Sequence, residues 1–395
     1  MHDKTIQTLL LVLAVAALSP FISDFAKRFT RLPGVVVEIA LGIVIGPQIL
    51  GWAQPDEVIS VLAELGLVLL IFLAGFEVDL HEVRGAPSRL AVQGWLVSLV
   101  LGIGVAWGLH ALGVTSGVRF VAVALTTTAI GTLLPIVGDA GLLGTRFGAF
   151  FLAGGALGEI GPIVAISLAL TSQAPARAGA VLAGFVVIAV GAGWFASRAT
   201  PPRFVRLIGH TLHTSGQLGV RTSVLLCGLL VWVAFRFDLD ILLGAFAAGM
   251  IARLFLGADE GDGVDHMHEV QVRLESLGFG FFIPLFFVVS GMKFDLDALA
   301  NTGTLLKVPM FMALFLVVRG LPALLYRKEL DRHEMIGLAF LQAAALPLVV
   351  VITGLGVADG LMRPDNAAAL VGAGLLSVVV FPILGLSFHG RSQRA

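Results

Sequence analysis

Glu159 is the only charged residue in the apolar run 147–170, where glycines stand on both sides of it and Pro162 follows. An ionised carboxylate at bilayer depth costs about 2.5 kcal/mol or more, so such a group is kept where it has a partner or a use. A carboxylate that alternates between its ionised and protonated forms can bind a cation or a proton. Glu159 is therefore the first candidate for ion chemistry, and structural pairing is the alternative.

Two further segments combine polar side chains with a proline inside an apolar span. They hold Thr126, Thr127, Thr128, Gly131 and Pro135 in one segment, and Gln342 and Pro347 in the other. Proline removes a backbone donor and interrupts a membrane helix, which is tolerated where the interruption lines a polar cavity. The hydroxyl and amide oxygens would suit a monovalent cation. The alternatives are threonines that bond their own preceding carbonyls and prolines that only kink a helix.

Three other ionisable residues fall at membrane depth: Arg319, Glu38 and Glu64. Arg319 carries a positive charge, so it is a possible ion-pair partner for Glu38, for Glu64 or for Glu159. Structural pairing is the preferred interpretation for Glu38 and Glu64.

The composition of the 395-residue chain indicates a polytopic membrane protein, with 57% hydrophobic residues, 13% charged residues and a mean hydropathy of +0.98. A net charge of -1 without a basic block gives no reason to expect nucleic acid. The single cysteine, Cys227, excludes an internal disulfide or a cysteine metal site. No cofactor is expected, and an enzyme is the least supported class because the H-E-x-x-H and G-x-S-x-G motifs are missing.

Thirteen segments have the length and hydropathy of membrane helices. They lie near 6–26, 33–50, 57–76, 89–112, 119–138, 145–171, 177–197, 217–236, 239–256, 271–291, 304–326, 334–357 and 366–388. The excess of Lys and Arg on alternate connections predicts a multi-pass protein of the cell membrane with its N-terminus outside and its C-terminus in the cytoplasm. The connections are too short for a soluble regulatory domain.

A repeated motif suggests that the chain has two related halves: the sequence G-F-E-V-D-L at 75–80 resembles the sequence G-M-K-F-D-L at 291–296. The first copy would end in the cytoplasm and the second outside, as expected of inverted repeats. The prediction is a single transmembrane domain over 1–395, with repeat one at about 6–171, a linker helix at about 177–197 and repeat two at about 217–388.

The sequence resembles the monovalent cation:proton antiporter-2 family, within the sodium/proton and potassium/proton exchanger superfamily. The most specific blocks lie at 62–70, 72–80, 243–249, 283–287 and 290–292. The resemblance implies an all-α sodium/proton antiporter-like fold with two broken helices that cross at the ion site. It also implies an elevator-type homodimer in the lipid bilayer that exchanges a monovalent cation for protons.

The resemblance also implies roles for individual residues. Gly158-Glu159-Ile160 falls where relatives have Asn-Asp, Asp-Asp or Gln-Asp, so Glu159 is the expected shared carboxylate, while Gly158 departs from the pattern. On the twelfth predicted helix many relatives have a lysine or an Arg-Gly-Glu cluster, and this chain has only Gln342 to Pro347. Whether Arg319 reaches the core instead is left open.

The preferred hypothesis is exchange of sodium or potassium for protons, with the cation held at Glu159 by Thr126, Thr127 and Gln342. Either bound ion would neutralise the carboxylate and let the core move. A cation channel and a transport-inactive membrane sensor of the same fold are the alternatives.

Overall fold

The computed structural model describes residues 2–26, 33–77, 85–170, 216–237, 239–256 and 266–392, with a few single positions between 171 and 215. Within these residues the chain is helical and contains no β-strand. Every predicted membrane segment except 177–197 overlaps one described helix or two consecutive ones. The predicted linker helix lies outside the described residues apart from isolated positions. The all-α class is confirmed.

The α-helices in chain order are α1 His2–Ala26, α2 Gly34–Ile45, α3 Glu57–Glu77, α4 Ala86–Ala111, α5 Val118–Ala124, α6 Ile130–Asp139, α7 Arg146–Leu170, α8 Leu218–Arg236, α9 Ile241–Leu256, α10 His266–Leu277, α11 Ile283–Met292, α12 Leu296–Ala300, α13 Thr302–Phe315, α14 Arg332–Ala343, α15 Pro347–Ala358 and α16 Pro364–Ser392. A π-helical turn, Gly278–Phe282, joins α10 to α11. A second π turn, Leu316–Gly320, and a 3-10 turn, Leu321–Tyr326, follow α13.

Nine helical stretches in the described part of the chain are long and apolar enough to cross a membrane. Two shorter apolar helices, α2 and α9, accompany them. A bilayer's hydrocarbon core is spanned by roughly 20 helical residues. The lengths and composition therefore agree with the polytopic membrane class.

The two membrane segments that were predicted to be interrupted are broken. The predicted segment 119–138 is divided into α5 and α6 by residues 125–129, and the segment 334–357 into α14 and α15 by residues 344–346. Pro347 is the first residue of α15, where its missing N–H is not needed by the helix. Pro135 does not mark the first break, because it lies inside α6, and Gly131 is the second residue of that helix.

The first break instead coincides with the threonines. Thr126 Oγ1 donates to the carbonyl oxygen of Val123 at 2.7 Å, and Thr127 Oγ1 donates to that of Ala124 at 2.8 Å. The same two carbonyls also accept from the amides of Thr126 and Thr127, so each hydroxyl adds a second bond at the end of α5. Thr126 and Thr127 therefore stabilise a helix end in the apolar interior.

The chain divides into two compact units, each assembled from separated segments. The first unit contains residues 1–9, 55–79 and 167–289, and the second contains 10–54, 80–166 and 290–395. Both helix breaks lie in the second unit. The two predicted repeats follow a different division of the chain, and their inverted relation stays a prediction.

In the first unit, α3 and α9 approach each other at backbone distance. A Cβ atom built on Gly249 would lie 2.0 Å from the carbonyl oxygen of Phe72, and one on Gly75 would lie 2.1 Å from that of Phe246. Small residues permit such approach between membrane helices, where packing replaces the hydrophobic effect as the driving force. The glycines are therefore required by the packing of this unit.

We expect Gly249→Ala to destabilise the protein by about 1–3 kcal/mol, because the new methyl group collides with rigid backbone. Thermal unfolding of the purified protein in detergent measures the change. Gly228→Ala on α8 is the matched control, since a Cβ atom there meets no heavy atom within 4 Å. Equal melting temperatures for Gly249→Ala and Gly228→Ala would contradict this account of the α3–α9 contact.

Candidate functional site

The two broken helices cross in the second unit, and their unwound segments, residues 125–129 and 344–346, are called the crossing below. The amide of Ala129 donates to the carbonyl oxygen of Ala344 at 2.8 Å. Thr128 contributes two bonds, from its amide to the carbonyl of Gly158 at 3.0 Å and from Oγ1 to the carbonyl of Gln342 at 2.6 Å. The crossing therefore joins both broken helices to α7. The predicted pair of broken, crossing helices is confirmed.

Four helix ends meet at the crossing: α5 and α14 end there, and α6 and α15 begin there. Helix N-termini carry partial positive charge and C-termini partial negative charge. Discontinuous membrane helices use these ends to hold ions near the midplane. The crossing thus offers dipole ends of both signs in a fully buried environment, since Thr126, Thr127 and Thr128 are at most 1% exposed.

Ser377 on α16 contributes to the backbone hydrogen bonding of the second break. Its Oγ accepts from the amide of Ala345 at 3.0 Å and lies 2.8 Å from the carbonyl oxygen of Gly374, to which it can donate. Ser377 is fully buried. Ser377 was not among the residues predicted for the site. A lone hydroxyl in an apolar span was the signal available, and such residues usually bond within their own helix.

Arg319 reaches the crossing, which answers the question that the sequence left open. The guanidinium is 2% exposed and donates from Nε to Thr128 Oγ1 at 2.9 Å, from Nη2 to the carbonyl oxygen of Gly154 at 2.9 Å, and from Nη1 to Ser98 Oγ at 3.4 Å. Arg319 lies in the π turn Leu316–Gly320. π turns often occur at functional sites because they redirect side chains. Arg319 therefore connects the first break to α4 and α7.

Glu159 is half-buried on α7, and the residue before it is in direct contact with the crossing. A Cβ atom on Gly158 would lie 2.4 Å from Thr128 Oγ1 and 2.7 Å from Arg319 Nη2. The threonine hydroxyl and the guanidinium thus fill the space that a side chain at 158 would need. Relatives have an amide or an acid at the position of Gly158. The lack of space explains why this chain has glycine there.

Gln342 is 1% exposed and lies against α7. A Cβ atom on Gly154 would be 2.0 Å from its Nε2. That nitrogen makes no hydrogen bond of normal geometry among the described residues, although Tyr326 lies close to the Gln342 side chain. An amide nitrogen only donates hydrogen bonds, so an acceptor such as a water oxygen would satisfy it, and only the amide oxygen can face a cation.

Glu38 and Glu64 are the other two carboxylates that were predicted at membrane depth. Glu38 on α2 is 8% exposed, and its Oε1 accepts from Ser19 Oγ at 3.1 Å. Glu64 is exposed on α3, in the first unit. Arg319 donates to three neutral oxygens, those of Thr128, Ser98 and Gly154. An ion pair of Arg319 with Glu38 or Glu64 is not among its described contacts.

Comparison with known proteins now places the chain in a family. Residues 12–386 match the family described as sodium/hydrogen exchanger, transmembrane. The chain belongs to this sodium/hydrogen exchanger family. The resemblance drawn from the sequence blocks is thereby confirmed at the level of the family, and with it a transporter rather than an enzyme.

Curated relatives cover nearly the whole chain. It is 26% identical over 392 residues to the Na(+)/H(+)-K(+) antiporter GerN of Bacillus cereus, with 94% of each chain covered. It is 23% identical to the putative Na(+)/H(+) antiporter YjbQ of Bacillus subtilis, and the match spans all of this chain but 65% of that relative's length. Sodium/hydrogen exchangers are thus similar to this chain from end to end, and some of them are longer.

A solved structure shows the fold of a sodium/hydrogen exchanger. The sodium proton antiporter MjNhaP1 of Methanocaldococcus jannaschii superposes with a TM-score of 0.69 over 98% of both chains, at 15% sequence identity. The fold extends over the full length, which confirms the predicted sodium/proton antiporter-like architecture.

We expect Arg319→Lys to destabilise the protein by about 1–3 kcal/mol, because one ammonium group cannot donate in three fixed directions to Thr128, Gly154 and Ser98. Thermal unfolding measures the effect. Arg327→Lys, at an exposed arginine of the same chain segment, is the control and should change stability by no more than about 0.5 kcal/mol. Unchanged melting of Arg319→Lys would show that the three contacts contribute little.

Proposed function

We propose that this protein is a secondary active antiporter that exchanges a monovalent cation, sodium or potassium, for protons across the membrane. The crossing carries the proposal: two broken helices meet in a buried, oxygen-rich segment that contacts α7 at the residue before Glu159. Family membership supports it, as do relatives named for sodium, potassium and proton exchange.

Glu159 is the proposed shared carboxylate. Its ionised form would bind the cation, and its protonated form would carry the proton. Either bound form is neutral at the carboxylate and therefore cheaper to move through an apolar environment than the empty charged form, whose desolvation is costly. Competition between cation and proton for one group then couples their fluxes in opposite directions.

The threonines contribute unequally in this proposal. A hydroxyl has one hydrogen and two lone pairs. Thr128 Oγ1 donates to Gln342 and accepts from Arg319, so one lone pair remains, and its main role is to hold the crossing together. Thr126 and Thr127 donate to backbone carbonyls and keep both lone pairs, so they are the better candidates for cation ligands.

Arg319 supplies a fixed positive charge to the same region. A guanidinium does not deprotonate in proteins, and this one is held by neutral acceptors. It therefore lowers the cost of a negative charge on α7 without consuming the transported proton. Its proposed role is to position the crossing and to favour the ionised form of Glu159.

We also propose an elevator-type movement, a homodimer, inverted repeats, and a location in the cell membrane with the N-terminus outside and the C-terminus in the cytoplasm. The excess of Lys and Arg on alternate connections supports this orientation.

The test is proton flux in sealed proteoliposomes with an imposed pH gradient, with sodium, potassium, lithium or rubidium added in turn. Wild type should dissipate the gradient with its cation, and Glu159→Gln should fall to the level of protein-free vesicles because the amide neither ionises nor takes up a proton. Glu57→Gln, at an exposed carboxylate that begins α3, is the charge-matched control and should retain flux.

Three outcomes would contradict the proposal. Wild-type flux in Glu159→Gln would remove the carboxylate from the mechanism. Cation current that does not saturate and is not coupled to protons would indicate a channel. Absence of flux with every cation would favour a transport-inactive sensor or another solute.

A further inference from the structure

Glu38 is a buried carboxylate that the proposed antiport mechanism does not use. It lies on α2 and contacts Ser19 on α1, and both residues belong to the second unit. Ser19 is 1% exposed and Glu38 8% exposed. Ser19 Oγ and Glu38 Oε1 are 3.1 Å apart, which is hydrogen-bond distance. An ionisable residue at membrane depth with a neutral partner calls for a functional explanation.

The hydrogen bonding of α1 is interrupted at this contact. Pro20 lies inside α1 and has no N–H, so the carbonyl of Ala16 lacks its usual amide donor one turn later. Ser19 Oγ lies 3.4 Å from that carbonyl oxygen. The serine hydroxyl therefore stands between the carboxylate and a backbone acceptor that has lost its regular partner.

This arrangement satisfies both protonation states of Glu38. When the carboxyl is ionised, Ser19 gives its single hydrogen to Oε1. When the carboxyl is protonated, its hydroxyl can donate to Ser19 Oγ while Ser19 turns its own hydrogen to the carbonyl of Ala16. Rotation of one hydroxyl thus serves either state. A structural ion pair, by contrast, is satisfied only when the carboxylate is charged.

The charged residues nearest in sequence to the contacts of Glu38 are exposed. Besides α1, α2 packs against the end of α11, where a Cβ atom on Gly291 would lie 2.2 Å from the carbonyl oxygen of Ile39. Among the described charged residues of α1 and of the segment after α11, Asp24 and Lys293 are nearest in sequence to these contacts, and both are exposed. The partner at hydrogen-bond distance remains the neutral hydroxyl of Ser19.

We propose that Glu38 and Ser19 form a second proton-binding site, separate from the shared carboxylate Glu159. The site takes up and releases a proton at the α1–α2 contact, with the hydroxyl of Ser19 as its switchable partner and the carbonyl of Ala16 as the alternative acceptor. Its ligand is the proton rather than a metal cation, because one carboxylate and one hydroxyl supply fewer oxygen ligands than a metal cation takes.

Infrared difference spectroscopy of the full-length purified protein during a pH titration tests this directly. A carbonyl band component from the protonated Glu38 carboxyl should appear as the pH falls and should be missing in Glu38→Gln, while any component from Glu159 remains. In Ser19→Ala the band should persist with its midpoint raised by about one pH unit, because the charge-assisted bond that the ionised form loses is stronger than the neutral bond that the protonated form loses. Asp24→Asn, an exposed carboxyl on α1, is the control and should leave the band unchanged.

A titration that is identical in wild type and Glu38→Gln would overturn the proposal, as would an unshifted midpoint in Ser19→Ala. Sodium and potassium should leave the Glu38 band unchanged, and displacement of the band by either cation would overturn the assignment to protons. Since the spectra require no transport, they separate this proposal from the antiport function. Thermal unfolding of Glu38→Gln verifies that its spectrum comes from folded protein.

Discussion

The hydrogen-bonding demand of the backbone is the constraint on which this structure depends. A helix that breaks inside an apolar environment exposes N–H and C=O groups, and each unsatisfied group costs several kcal/mol. Here those groups find partners on other elements: the amide of Ala129 on Ala344, that of Thr128 on Gly158, and that of Ala345 on Ser377. The network that makes the broken helices possible is therefore the same network that builds the candidate site.

Arg319 shows how a buried charge can organise such a site. Its guanidinium has donors in several fixed directions, and three of them connect a broken helix, α4 and α7 through neutral oxygens. Neutral acceptors hold the charge in place without cancelling it. The positive potential thus remains available to the helix that carries Glu159, while the geometry of the crossing is determined by the same side chain.

Close packing around α7 accounts for its glycines. A Cβ atom on Gly155 would lie 2.5 Å from the side chain of Ile130, and one on Gly161 would lie 2.1 Å from the indole of Trp95. The glycines at 154 and 158 are limited in the same way by Gln342 and by Thr128 with Arg319. The spacing that made Glu159 conspicuous in the sequence is therefore a packing requirement, because α7 has to approach the crossing at backbone distance.

The sequence by itself determined the membrane class, the approximate positions of the described helices, the pair of interrupted helices and the family. These follow from local hydropathy, from proline chemistry and from short motifs, all of which can be read along the chain. Only the tertiary structure decided that Arg319 reaches Thr128, that Ser98 and Ser377 complete the site, that the threonines rather than Pro135 mark the first break, and that Glu38 faces Ser19. Those contacts join residues far apart in sequence, and they depend on the rotation and approach of packed helices, which hydropathy does not specify.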